Sequence, residues 1–305
     1  MKILVTGASG RVGANLTKAL LDRGHTVRAF IFPQDASRMH KLDAYNVDIQ
    51  QGDLRDYDAV AKAVTGMDAV YHIGAAMIGP FQNADYFDIN AKGTFNVVEA
   101  VRQNCPNLHR LIYAGTDATY PTFPDTGPEQ SATEDMHVEP TGLYALSKWM
   151  GERLVLNHYR QYGTPSVIFR FAWVIGAGEI LDPNYTRMYW LSKVRDQYAA
   201  QRGKSAEADQ IADQLDALWP GEERMLVTYS SSGKSHSMYF VDVRDLLQGL
   251  LLGLDKPEAV GEVFNLPGQR RWLHSEVAPY ISQRIGVPDV ELTMPRPASY
   301  RGLSW

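Results

Sequence analysis

The chain has 305 residues, a formal net charge of −5 and one cysteine, Cys105. Hydrophobic residues make up 45% and charged residues 21% of it, the balance of a globular protein with room for a large core. No run of Lys and Arg suggests nucleic-acid binding, and a single thiol excludes an intrachain disulfide and a multi-cysteine metal site. Met1-Lys2 runs directly into the strand Ile3-Leu4-Val5, which leaves no room for the long apolar region of a signal peptide, and no later stretch is long enough to span a membrane. We therefore expect a cytoplasmic protein, and we expect no bound metal.

Short apolar runs alternate with helical patterns in the first half of the chain, which is typical of βαβ units with a parallel sheet. The patterns predict strands at residues 2–5, 26–32, 47–50, 69–72, 110–114 and 166–171. They predict helices at residues 12–23, 57–64, 85–104 and 143–162. The fold class is therefore α/β, with a doubly wound parallel sheet.

A glycine-rich segment follows the first predicted strand and opens the first helix. It reads Thr6-Gly7-Ala8-Ser9-Gly10-Arg11-Val12-Gly13. Gly7 permits a tight turn, Gly10 lets the backbone approach a pyrophosphate, and Gly13 lets helix and strand pack closely. The helix N-terminus offers N–H groups and a positive dipole end to phosphates. In this context the segment predicts a Rossmann-type dinucleotide site rather than a turn without a ligand.

The alternating pattern ends after Arg170. Residues 176–236 are rich in Tyr, Trp, Met and alternating charges, and they include a polar helical stretch at 192–218. A strand at 238–241, a helix at 243–254 and a strand at 262–266 follow. We predict a dinucleotide-binding domain at 1–175 and a mainly substrate-binding region at 176–305, from which residues 236–255 return to the Rossmann core.

Six segments, in order along the chain, resemble motifs of the extended short-chain dehydrogenase/reductase family, which includes epimerases and dehydratases of sugar nucleotides. Besides the glycine segment, they are Gly52-Asp53-Leu54, His72-Ile73-Gly74-Ala75-Ala76, Asn90-Ala91-Lys92-Gly93-Thr94, Tyr144-Ala145-Leu146-Ser147-Lys148 and Phe240-Val241-Asp242-Val243-Arg244-Asp245. The resemblance implies NAD(P) as cofactor. It implies cofactor contacts from the glycine segment and from Asp53, Leu54, Ile73, Gly74, Ala75, Asn90, Tyr144, Lys148, Phe171 and Val174.

Tyr144 and Lys148 are four positions apart in a predicted helix, so they project from one face of it. A free tyrosine has a pKa near ~10, and a nearby ammonium favours the phenolate. By resemblance, Tyr144 is the catalytic acid/base, Lys148 also holds the nicotinamide ribose, and Thr116 is the catalytic hydroxyl. Without the other motifs, the Tyr/Lys pair would be read as a surface pair, and Thr116 as a residue that caps a turn.

Three departures from the family pattern narrow the range of reactions and substrates that we expect. Ala118 stands where dehydratases carry a glutamate, which argues against a dehydratase. Met238 and Trp173 stand where sugar-nucleotide enzymes carry polar anchors, so a smaller or less charged substrate is favoured. Asp117 either contacts a polar substrate group or caps a turn. The candidate substrate contacts are therefore Asp117, Trp173, Met188 and Met238.

An apolar pocket is one interpretation of the aromatic residues in this part of the chain, and ordinary core packing is the other. The residues are Phe171, Trp173, Tyr185, Met188, Tyr189 and Trp190.

The end of the second strand bears on the choice between NAD and NADP. Ile31 stands where an NAD enzyme carries an acid, and a carboxylate there would repel the 2′-phosphate of NADP. Arg11 and Arg38 are candidate partners of that phosphate, whereas Arg28 is expected to point away from it. The sequence therefore slightly favours NADP.

The preferred function is an NAD(P)-dependent oxidoreductase that transfers a hydride between the cofactor and a small carbonyl or alcohol substrate. The alternative is an epimerase that uses the same Tyr, Lys and Thr groups without net redox. A non-catalytic cofactor sensor is disfavoured because Tyr144 and Lys148 are both present. The two long helices that contain Asn90 and Tyr144 resemble the family's dimer interface, so a homodimer is expected.

Overall fold

The computed structural model describes residues 1–77, 81–121 and 132–295. The chain divides into two compact units. Unit 1 contains Met1–Tyr120, Glu134–Ala172 and Val243–Leu266. Unit 2 is the described part of Pro121–Thr133, Trp173–Asp242 and Pro267–Trp305.

Seven parallel strands form the sheet of unit 1. With strands numbered along the whole chain, they are β1 (Lys2–Thr6), β2 (Thr26–Ile31), β3 (Asp48–Gln51), β4 (Ala69–His72), β5 (Arg110–Thr116), β6 (Ser166–Phe171) and β10 (Val263–Leu266). Their order across the sheet is β10-β6-β5-β4-β1-β2-β3. The order of the strands reverses between β1 and β4. In doubly wound sheets, ligands bind at this point, outside the carboxyl ends of the strands. The predicted α/β, Rossmann-type fold is confirmed.

Helices cover the sheet of unit 1. They are α1 (Arg11–Asp22), α2 (Tyr57–Val64), α3 (Asn83–Asp85), α4 (Gly93–Asn104), α5 (Leu143–Tyr162) and α8 (Val243–Asp255). A 3₁₀ segment, Pro33–Leu42, follows β2, and a π-helix, Tyr86–Lys92, joins α3 to α4. Helix α1 packs beside α8, whereas α4 packs against both α2 and α5.

Four predicted elements, at residues 57–64, 69–72, 143–162 and 166–171, coincide with α2, β4, α5 and β6. The predicted helix at 85–104 is instead the end of α3, the π-helix and α4, because the chain winds more widely at residues 86–92. Strand β5 runs two residues beyond its predicted end, since Gly115 and Thr116 still pair with Arg170 and Phe171 of β6.

The packing of β5 against α5 depends on a glycine. The side chain of Tyr113, in β5, is fully buried, and its hydroxyl donates to the backbone oxygen of Lys148 at 3.0 Å. A Cβ at Gly151, in α5, would lie 2.2 Å from that hydroxyl oxygen and 3.1 Å from the backbone oxygen of Asn90. Only glycine leaves room for the tyrosine here, so the strand and the helix approach closely beside Lys148.

Unit 2 contains two small sheets. Strands β7 (Trp173–Ile175), β9 (Ser237–Asp242) and β11 (Arg271–Leu273) form one sheet, and β8 (Met225–Tyr229) with β12 (Asp289–Thr293) forms the other. Its helices are α6 (Leu191–Ala199), α7 (Ala206–Leu218) and α9 (His274–Ile285). The predicted helical stretch at 192–218 is thus two helices. Helix α9 was not predicted, and Pro279 inside it argues against a helix from sequence alone.

Across the described residues, no helix combines the length and the apolar character needed to cross a membrane.

Candidate active site

The glycine segment forms a tight turn between β1 and α1. Gly7 has φ +67°, and a Cβ there would lie 2.7 Å from the Cα of Gly74. A Cβ at Gly13 would lie 2.2 Å from the backbone oxygen of Gly7. Gly10 is the residue before α1 and has no side chain that could cap the helix. The first turn of α1 contains no acidic residue. The N–H groups of this turn therefore suit an anion, and the residues fit the pyrophosphate of a dinucleotide.

The segment after β4 is held against this turn by Thr6, the last residue of β1. The Thr6 hydroxyl accepts the N–H of Ile73 at 3.1 Å and the N–H of Gly74 at 3.0 Å. These bonds fix Ile73 and Gly74, which with Ala75 are predicted to contact the cofactor, at the point where the order of the sheet reverses.

Asp53 follows β3 and is bound by Arg55. The Arg55 Nη2 lies 2.7 Å from Asp53 Oδ2, and its Nη1 reaches Asp85 at 3.0 Å. Burial acts to raise the pKa of Asp53, but the hydrogen bonds from Arg55 hold that pKa below its usual value. The adjacent Leu54 is buried, and its backbone oxygen accepts from Asn96 at 2.8 Å.

Lys148 is buried in α5, one turn beyond Tyr144. Its side chain and backbone together are 2% exposed, and its Nζ lies 4.3 Å from the centroid of the Tyr113 ring. Burial lowers the pKa of Lys148 to about 7, although the charge of Glu152 acts in the opposite direction. The site therefore contains an ammonium that titrates near neutral pH.

The carboxylate nearest in sequence to Lys148 forms an ion pair with another residue. Glu152 lies one turn further along α5 and binds Arg170 of β6 through both oxygens, at 2.7 and 3.0 Å. Arg170 Nη1 also donates to the hydroxyl of Tyr120 at 2.6 Å. Both members of the ion pair are buried, at 1% and 5% side-chain exposure. The spacing of Lys148 and Glu152 was visible in the sequence, but the partnership with Arg170 was not.

Asn90 lies in the π-helix, and its side chain makes three hydrogen bonds to protein groups. Its Oδ1 accepts the N–H of Ala76 at 2.8 Å, and its Nδ2 donates to the backbone oxygen of Ala76 at 2.9 Å and to Ser147 Oγ at 3.0 Å. The residue is 1% exposed. In this structure its amide thus joins the segment after β4 to α5.

Thr116 ends β5 and opens the 3₁₀ turn Asp117–Thr119. Its hydroxyl accepts the N–H of Ala118 at 3.2 Å, so the turn-capping interpretation describes one of its bonds. A hydroxyl that accepts one hydrogen bond keeps its own proton for a second partner. The turn packs against α5, which carries Tyr144.

The predicted site residues are divided between the two units. Unit 1 contains all of the predicted catalytic and cofactor-binding residues except Val174, and it also contains Asp117. Val174, Trp173, Met188 and Met238 belong to unit 2. Met188 and Tyr189 are buried in the hydrophobic core of unit 2, and Trp173, Trp190 and Met238 pack against that core. These five residues therefore contribute to core packing in unit 2.

The sheet order, the glycine turn and the helix with Tyr144 and Lys148 together define a member of the extended short-chain dehydrogenase/reductase class. The chain belongs to the NAD dependent epimerase/dehydratase family, whose model matches residues 3–266.

Relatives and a solved structure agree with this assignment. The 2-alkyl-3-oxoalkanoate reductase of Stenotrophomonas maltophilia is 38% identical over 162 residues, which are 51% of this chain and 46% of that protein. The uronate dehydrogenase of Pseudomonas syringae is 30% identical, over 63% of this chain and 65% of that protein. The chain spans about half the length of the first of these relatives. A short-chain dehydrogenase/reductase superfamily protein from Agrobacterium tumefaciens with bound NAD has a TM-score of 0.82 at 30% identity, covering 97% of this chain and 86% of that chain.

The burial of Lys148 predicts a pH-dependent stability. An unfolded lysine titrates near ~10.4, whereas Lys148 in the folded chain titrates at about 7, so between these values the unfolded chain binds one more proton. The contribution of Lys148 to stability is therefore fully present above the pKa of the unfolded chain. It is lost as the pH falls toward the pKa of Lys148 in the folded chain. As the pH rises from about 7 to about 9, we expect the free energy of unfolding of the wild type to increase, relative to that of Lys148→Met, by up to about 1.4 kcal/mol per pH unit. The measurement is urea unfolding of both proteins at each pH.

The matched control is Lys41→Met at an exposed lysine, which removes the same charge. Parallel stability curves for wild type and Lys148→Met across this pH range would contradict the expectation.

Proposed function

We propose that this chain is an NAD(P)-dependent oxidoreductase that interconverts a small carbonyl compound and its alcohol. The observation that carries the proposal is the buried Lys148, 2% exposed, one helical turn from Tyr144. Burial of an ammonium is costly, and here the nearby carboxylate of Glu152 is bound by Arg170 instead. An ionisable group buried under these conditions supports a role in chemistry rather than in stability.

In this proposal the phenol of Tyr144 donates a proton to the substrate oxygen during reduction and removes it during oxidation. The Lys148 ammonium favours the phenolate form and binds the ribose hydroxyls beside the nicotinamide. The Thr116 hydroxyl donates to the same substrate oxygen and orients it. When bound, the nicotinamide gives or takes the hydride. The N–H groups at the start of α1 and the residues Ile73, Gly74 and Ala75 hold the rest of the cofactor.

Several features support a substrate that is not a sugar nucleotide. The position before the late motif is Met238, and the position after β6 is Trp173, so neither supplies a charged anchor for a diphosphate. Relatives that match about half or more of the chain are named a 2-alkyl-3-oxoalkanoate reductase and a uronate dehydrogenase, both small-molecule redox enzymes by name.

Replacing Tyr144 with Phe tests the acid/base assignment. We expect Tyr144→Phe to lower turnover by roughly 10²–10⁴-fold, because the proton-transferring hydroxyl is lost, while NAD(P)H affinity stays within about twofold. Turnover is followed as oxidation of the reduced cofactor by a panel of small ketones and keto acids. The matched control is Tyr162→Phe, at an exposed tyrosine at the other end of α5.

Near-normal turnover of Tyr144→Phe would refute its role. Conversion of a uridine diphosphate sugar without net oxidation of the cofactor would instead establish the epimerase.

We further propose a preference for NADP over NAD. Ile31 ends β2 and is fully buried, so no carboxylate lies there to repel a 2′-phosphate. Arg38, in the 3₁₀ segment after β2, is exposed and pairs with Asp35 at 3.3 Å, and Arg11 opens α1. Arg28 binds Asp48 and the backbone oxygen of Ala63, and is not a candidate.

The preference is measured as the ratio of kcat/KM for NADPH to that for NADH, expected above one. Arg38→Gln should lower kcat/KM for NADPH roughly tenfold and leave the NADH value unchanged, since only NADPH carries the 2′-phosphate. An equal loss with both cofactors, or a wild-type ratio below one, would contradict the preference.

A homodimer through α4 and α5 completes the proposal. Both helices expose large apolar side chains, Phe95 at 44% and Met150 at 38%. We expect Phe95→Glu to convert the dimer to a monomer in light scattering, because a charge would be buried in the interface. Leu252→Glu, at a leucine of α8 that is 52% exposed, is the control that should leave the mass unchanged. A monomeric wild type would refute this interface.

A further inference from the structure

A buried histidine in unit 1 lies between the glycine turn and the helix of Tyr144, and the mechanism above gives it no role. His72 ends β4 and is 1% exposed. Its Nδ1 lies 2.9 Å from the hydroxyl oxygen of Thr6, and its Nε2 lies 3.0 Å from the hydroxyl oxygen of Thr94. It therefore bridges β1 and α4.

The Thr6 hydroxyl determines the state of His72 Nδ1. A hydroxyl oxygen accepts two hydrogen bonds and donates one. Thr6 already accepts two, from the N–H groups of Ile73 and Gly74. Its proton is thus the group that faces His72, and Nδ1 must be an unprotonated acceptor.

The Thr94 hydroxyl independently determines the state of His72 Nε2. Its proton donates to the backbone oxygen of Asn90 at 2.6 Å, because a carbonyl oxygen can only accept. Toward Nε2 the Thr94 oxygen therefore accepts, and Nε2 carries the ring proton. Burial, with the charge of Lys148 acting in the same direction, lowers the pKa of His72 to about 3, which agrees with a neutral ring.

The hydrogen bonds continue from Thr94 to the helix of Tyr144. Thr94 binds the backbone of Asn90, whose side-chain Nδ2 donates to Ser147 Oγ at 3.0 Å. Ser147 in turn donates to the backbone oxygen of Tyr144 at 2.9 Å. Thr94 and Ser147 are fully buried. The resulting series of contacts, which we call the His72 chain, runs through Thr6, His72, Thr94, Asn90, Ser147 and Tyr144.

We propose that His72, as the neutral tautomer protonated at Nε2, is a positioning residue that fixes the first turn of α5 relative to the glycine turn. This inference rests on the proposed function, because it takes Lys148 and the start of α1 as two places that hold one NAD(P) molecule. A cofactor held at both ends of the His72 chain has an affinity that depends on their relative position. His72 itself touches neither cofactor nor substrate in this proposal.

A double-mutant cycle on cofactor affinity tests the chain. His72→Phe and Ser147→Ala each interrupt it at a different point, and each is expected to weaken NADPH binding roughly tenfold, since buried polar partners lose their hydrogen bonds. The double variant should bind no more weakly than the weaker single variant, because the chain is already broken. NADPH affinity is read from cofactor fluorescence in the binary complex, with NADH in parallel.

Independent local effects would multiply to roughly a hundredfold loss in the double variant, and that result would overturn the proposal. Unchanged affinity in either single variant would also overturn it. The binary complex needs no turnover, so the cycle keeps its meaning even if the hydride-transfer proposal fails.

A matched pair of isosteric variants separates the chain from general packing. Thr94→Val removes one link, and we expect it to weaken NADPH binding as His72→Phe does. Thr17→Val makes the same change at a fully buried threonine of α1 whose hydroxyl has no hydrogen-bond partner among the described residues. Thr17→Val should leave the affinity unchanged. Equal losses in the two variants would overturn the proposal.

The tautomer has a readout independent of binding. In ¹⁵N-histidine-labelled protein near neutral pH, the His72 signals are identified by their loss in His72→Phe. We expect a protonated Nε2 and an unprotonated Nδ1 in the long-range ¹H–¹⁵N spectrum. A proton on Nδ1, or a doubly protonated ring, would overturn the proposal.

Discussion

Keeping the ammonium of Lys148 inside unit 1 is the constraint around which its site is built. A buried cation without its own carboxylate must be held by other means. The face of the Tyr113 ring lies 4.3 Å from Nζ, at a distance where a ring attracts a cation. Tyr113 can approach because Gly151 has no side chain. Glu152 is close enough to favour the charged lysine, but its hydrogen bonds go to Arg170.

The ion pair of Glu152 and Arg170 extends this arrangement to the carboxyl end of the sheet. The Cζ of Arg170 also lies 5.0 Å from the centroid of the Tyr120 ring. Arg170 donates to the hydroxyl of Tyr120, which in turn donates to Asn265. Strands β6 and β10, helix α5 and Tyr120 in the segment after β5 are thus tied together through one buried guanidinium. Because removing either partner of a buried ion pair leaves an uncompensated charge, the position of the helix with Tyr144 and Lys148 is coupled to strand β6 of the sheet.

The sequence predicted the sheet of unit 1 well because its signals are local. Apolar runs of strand length, Gly7 in a left-handed turn and the spacing of Tyr144 and Lys148 each depend on neighbours within one turn or strand. Predictions failed where distant contacts decide the structure. The π-helix that presents Asn90 and the break at residues 200–205 leave no clear period in the sequence. The short strands of unit 2 are held by pairing with partners far along the chain.

The roles of single side chains were the least predictable part of the site. Asn90 and Asp53 belong to motifs that resemble cofactor contacts, and in the structure Asn90 makes three hydrogen bonds to Ala76 and Ser147, while Asp53 is bound by Arg55. No sequence pattern reports how many hydrogen bonds a side chain has already made, since its partners come from several elements. Counting them also separates two kinds of polar residue. Side chains whose hydrogen bonds join several elements, such as Asn90, hold the geometry of the site. Thr116, whose hydroxyl accepts one bond, and Lys148, which faces a ring, are the groups that we propose act on a ligand.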